Sequence, residues 1–98
     1  PVHFAGPGYA RWSPELAPVL AQAGRASGMA LHLDPADGET GGSDYRDFAR
    51  ARVPWIRFFG NFFPEYHQPG DKPGNLDPAQ VQNMARLAFS AAWLLANR

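Results

Sequence analysis

The chain has 98 residues, 45% of them apolar and 18% charged, which is enough for one compact domain spanning 1–98 and too few for two. Nine Lys and Arg balance nine Asp and Glu, and no basic run occurs, so capture of nucleic acid or of an anionic membrane surface is not expected. Cysteine is absent, which excludes disulfides, thiolate metal sites and thiol redox chemistry without fixing a compartment.

In chain order, Val2 to Ala5 is a short apolar strand, closed by Gly6-Pro7-Gly8 as a turn. Ser13 as N-cap and Pro14 at the first helical position predict a helix in which Leu16, Val19, Leu20 and Ala23 share a face, with Gly28 as its stop. Met29 to Leu33 follows as a second strand, and the Gly, Asp and Pro of 34–42 predict a loop. Ser43 should cap a short helix reaching Ala51, with Tyr45, Phe48 and Ala49 as its apolar contacts. Val53 to Gly60 is almost continuously apolar and is predicted as a central strand, covered on both faces. Asp77-Pro78-Ala79-Gln80 opens a last helix running to Ala96. Val81, Met84, Ala85, Ala88, Ala92 and Leu95 form one stripe on it, with Phe89 and Trp93 in a second, so more than one packing neighbour is expected.

This alternation predicts an α/β fold, a partial three-layer sandwich of about three strands and three helices. Ligands in such sheets bind beyond the carboxyl ends of strands. The Pro- and Gly-rich loop after Gly60 leaves such an end, and it carries Tyr66 and His67 with Asp71 four residues on. One histidine holds no metal, since a zinc site takes about three or four protein ligands. His32 lies between Leu31 and Leu33 and should point away from their face, and His3 at the amino end has no evident partner. Arg57 is the odd residue of its strand: a buried guanidinium is costly alone, so it must pair with a carboxylate or reach solvent.

Several ordered motifs resemble the carboxyl-terminal half of co-catalytic di-zinc aminopeptidases. They are Gly41-Gly42-Ser43-Asp44-Tyr45 with Phe48 following, Val53-Pro54 opening a strand, and Glu65-Tyr66-His67-Gln68-Pro69-Gly70-Asp71. The likeness continues through Met84-Ala85-Arg86-Leu87 and Ala92-Trp93-Leu94-Leu95-Ala96-Asn97, and covers essentially the whole chain. Tyr45 stands where many members carry histidine, and Lys72 where threonine is usual.

The resemblance implies zinc chemistry, with two ions in the parent and none or weakly bound ions in this chain. His67 matches the last zinc ligand, and Tyr66 a tyrosine that hydrogen-bonds the oxyanion of the tetrahedral intermediate. Asp44 and Asp71 match residues that support the centre without ligating it. The remaining ligands of the family come from upstream, and the chain opens at Pro1 almost directly in a strand, so a carboxyl-terminal fragment of a larger polypeptide is expected. Two function classes follow. One is part of an aminopeptidase acting on peptide substrates, inactive as the fragment, with a periplasmic or secreted parent. The other is a non-catalytic module of the same fold that works in assembly or binding. Glutaminyl cyclisation shares the fold, but its motifs match less well. Unpaired edges and apolar faces would also call for a complementing amino-terminal half or for self-association.

Overall fold

The computed structural model describes residues 3–40, 42–59 and 77–98. The chain folds as β1 (His3–Ala5), β2 (Gly8–Ala10), α1 (Leu16–Ser27), β3 (Met29–Leu31), β4 (Asp34–Ala36), α2 (Tyr45–Arg50), β5 (Ile56–Arg57) and α3 (Pro78–Ala96). The α/β class and its three helices are as expected.

The sheet is mixed. β1 pairs parallel with β3 and β2 parallel with β4, and one register runs through both ladders: His3 faces Met29, Ala5 faces Leu31, Gly8 faces Asp34 and Ala10 faces Ala36. Bonds bridge the gap between them, from His32 N–H to the Ala5 carbonyl (3.0 Å) and from Asp34 N–H to the Pro7 carbonyl (3.0 Å). β1 and β2 thus form one bent strand, interrupted where Pro7 offers no N–H. The Gly6-Pro7-Gly8 segment is a kink within a strand rather than a turn that ends it, and 34–36, expected in a loop, is strand.

β5 lies antiparallel to β2, with Tyr9 opposite Ile56 and Gly8 opposite Arg57. Two flanking bonds extend this pairing, Gly6 N–H to the Phe59 carbonyl (2.7 Å) and Ala10 N–H to the Trp55 carbonyl (3.0 Å). The order is therefore β4-β2-β5, and the strand expected at the centre has a neighbour on one side only among the described residues. Apolar content misled here: Pro54 removes a donor, Arg57 is only half-buried, and the central position goes to the short β2, buried at all three residues.

Helices cover both faces. α1 and α3 pack together over one, where Leu20 and Leu87 are fully enclosed among Ala5, Tyr9, Leu16 and Met29. Burying each leucine contributes about 1.5–3 kcal/mol. α2 closes the other face through a smaller cluster of Ala10, Ala49 and Trp55. Phe48, expected as an apolar contact of α2, is instead 53% exposed.

The helix ends follow local chemistry. Gly28 sits at φ 70°, the left-handed conformation that ends α1, and Asp77 accepts a bond from Ala79 N–H at 3.0 Å to start α3 with Pro78 behind it. Ser13 does not cap α1: it lies in a preceding turn, and the cap position belongs to Glu15 without a side-chain bond. Asp44, not Ser43, occupies the cap of α2, again without one. On α3 the buried line passes through Leu87 and Ala91, so the expected stripe is rotated, and Val81, Ala85 and Ala92 face outward. No described helix is long and apolar enough to cross a membrane.

Leu20→Ala and Leu87→Ala are each expected to lower the free energy of unfolding by about 2–5 kcal/mol. Phe89→Ser, at a 68% exposed position, should change it by no more than about 0.5 kcal/mol. Urea denaturation followed by circular dichroism checks both.

Candidate functional site

The polar chemistry of the described residues collects where α2 meets β5. An open cleft of about 410 Å³ lies between them, bounded by Asp44, Tyr45, Trp55, Arg57 and Phe58. Its inner wall is aromatic. Trp55 is buried beneath Ala49 and Ala10, and Tyr45 stacks on it with ring centroids 4.9 Å apart and planes at 28°.

Arg57 ties three elements together at this wall. Its Nη2 donates to Asp34 Oδ2 across 2.6 Å, and its guanidinium lies 5.3 Å from the centroid of the Tyr45 ring. The carboxylate partner demanded by a guanidinium in an apolar strand is thus Asp34, one strand beyond β2. To reach it the side chain crosses β2 directly over Gly8: a Cβ on that residue would meet Arg57 Cγ at 3.0 Å and Cδ at 3.1 Å and would collide with Nε. Nε itself is buried, with no hydrogen-bond partner among the described residues. The pair is half exposed, so its direct contribution to stability is below about 1 kcal/mol. Its larger effect is positional, because Asp34, Arg57 and Tyr45 hold the start of α2 against the sheet.

Asp44 stands at that start, exposed, at the mouth of the cleft. Its carboxylate makes no capping bond to α2, which leaves it available to a neighbour. Tyr66, His67 and Asp71 lie outside the described residues, so Asp44 is the one expected site residue whose position is defined. His32 is exposed, as its alternation with Leu31 and Leu33 required, and its N–H is spent on the ladder.

Zinc fits poorly with the described residues alone. Nowhere among them do three His, Cys, Asp or Glu side chains come together. A second basic and aromatic pair, Arg52 lying 4.5 Å from the centroid of the Trp12 ring, contains no acid or imidazole.

Sequence reasoning found the need for a partner to Arg57 but not Asp34 itself. The obstacle was the Asp-Pro pair at 34–35, which read as loop. The usable signal was parity: Asp34 alternates with Leu31 and Leu33, so it belongs to the face opposite their side of the strand.

The Gly8 contact gives a direct test. Gly8→Ala is expected to cost about 1–3 kcal/mol in the wild-type background and much less when Arg57 is already alanine, a coupling that a double-mutant cycle in urea measures.

The model of peptidase family M28 matches residues 8–92, a span that includes β2, the cleft, the segment with Tyr66 and His67, and most of α3. No curated protein and no solved structure matches the chain to a significant degree.

Proposed function

Because this chain belongs to peptidase family M28, a family of generally zinc-dependent hydrolases, we propose that it is the carboxyl-terminal part of an aminopeptidase. The reaction is removal of amino-terminal residues from peptides, and the 98 residues on their own do not perform it. The observation that carries this reading is the family match across 8–92, together with the Glu65-Tyr66-His67 motif inside that span.

Within such an enzyme this chain supplies a small set of groups. His67 contributes one imidazole to the metal centre, where bound zinc would polarise a carbonyl and acidify water. Tyr66 donates its hydroxyl to the developing oxyanion. Asp44, free of the helix it precedes, accepts a hydrogen bond from a group at the centre, and Asp71 supports His67 without ligating the metal. The wall of Tyr45 and Trp55, braced by Arg57, keeps Asp44 in place. One imidazole does not replace a chelating set, which is why the isolated chain is inactive and binds zinc weakly at most.

The uncovered apolar row on α3, with Phe89 and Trp93 more than half exposed, supports a second reading: a non-catalytic module of the same fold acting in assembly.

Hydrolysis of an aminoacyl chromogenic substrate separates the two. The purified chain with added zinc is expected to show no chelator-sensitive turnover. A longer polypeptide containing this segment should be active, and His67→Ala should reduce its kcat/KM by more than about a hundredfold. Turnover by the isolated chain would remove the claim of inactivity, whereas an inert longer polypeptide with His67 intact would leave the assembly reading standing.

A further inference from the structure

Among the described residues, the lining of the cleft between α2 and β5 carries charge at two places. Asp44 is exposed at the mouth, and Arg57 lies half-buried in the wall. The rest of the lining is uncharged and mainly apolar, with Tyr45 stacked on Trp55. A free guanidinium in such a wall would select an acidic ligand. Here it is not free. It reaches over Gly8 to Asp34, a residue outside the lining, where Nη2 donates to Oδ2 across 2.6 Å. Its position 5.3 Å from the Tyr45 ring centroid also occupies the ring that another cation would seek.

The pair decides what the cleft can hold. An acidic side chain entering it must either displace Asp34 from the guanidinium or lie beside it as a like charge. A lysine meets the guanidinium already held at the Tyr45 ring. An uncharged aromatic or branched side chain has neither conflict, and it gains contact with Tyr45, Trp55 and Phe58.

We propose that Asp34 and Arg57 are specificity-determining residues, which restrict the cleft to the uncharged aromatic or branched side chain of a substrate's amino-terminal residue. The identity of the substrate rests on the aminopeptidase reading, and the selection among side chains rests on the ion pair.

The probes are L-phenylalaninamide, L-lysinamide and L-glutamic acid α-amide, which differ only in side chain. They are titrated into the full chain in metal-free buffer, with Trp12→Phe and Trp93→Phe leaving Trp55 as the single indole, whose emission reports on the cleft. Phenylalaninamide should bind saturably and at least about tenfold more tightly than the other two. Asp34→Asn releases the guanidinium and should strengthen the glutamate probe by about tenfold or more. Arg57→Gln leaves Asp34 at the end of the path over Gly8 and should strengthen lysinamide by a similar factor. The pair is half exposed, so both variants are expected to keep their circular dichroism, and either one alone decides the matter. A merely structural pair would weaken all three probes alike, and that result would overturn the proposal. So would the absence of saturable phenylalaninamide binding, or an unchanged order of probes in a folded variant. Hydrolysis plays no part in these titrations: an inert longer polypeptide would remove the peptidase reading and leave the measured selection intact, whereas lost selection in an active one would remove only this inference.

Discussion

Strand β2 is the constraint on which the rest of the molecule depends. It is three residues long, yet it pairs with β4 on one side and β5 on the other, and every residue in it is buried. An unpaired backbone group at such a position would carry the full cost of desolvation, so both neighbours are required to satisfy it. Both neighbours follow it in sequence, β4 in parallel through the α1 crossover and β5 antiparallel from beyond α2. Fixing β2 therefore fixes which helix covers which face: α1 and α3 over Tyr9, α2 over Ala10.

The cleft is a consequence of that arrangement. Trp55 precedes β5 and its carbonyl accepts from Ala10, so the indole is delivered beneath α2 by backbone pairing rather than by its own packing. Tyr45 then has a flat surface to stack on, and Arg57 spans β2 to close the group onto Asp34. The site is a lattice of short-range contacts anchored to a backbone ladder, and a shift of register by one residue would send Arg57 to the opposite face. That lattice sets where the Ser43-Asp44 segment stands relative to the sheet.

What could be read from the sequence follows the reach of each signal. α3 was legible at both ends because its determinants are local: the Asp77 carboxylate, Pro78 behind it, and a run with no glycine and no further proline up to Ala96. The end of α1 at Gly28 was equally plain. Its beginning was not, because Ser13 has the chemistry of a cap but is drawn into a buried turn. The strands were harder, since which one lies in the middle is decided by pairing between distant segments, and apolar content reports only burial. Val53 to Gly60 looks central by composition and pairs at an edge among the described residues. Gly6-Pro7-Gly8 looks like a stop and is a kink. For the site, the anomaly of Arg57 was visible and its resolution was not, because Asp34 lies two strands away across the sheet. The motif around His67 falls outside the described residues, so its reading rests on likeness and on the family match.

Gly8 carries an implication for how relatives of this chain vary. The glycine serves Arg57 rather than a turn: it leaves open a channel across the strand through which the guanidinium reaches Asp34. Positions 8, 34 and 57 should therefore drift as a set, with a side chain appearing at the first only where the third has shortened and the second has lost its charge. Three sites that look unrelated in sequence, a glycine beside a proline, an aspartate in an apparent loop and an arginine in an apolar run, form a single structural unit.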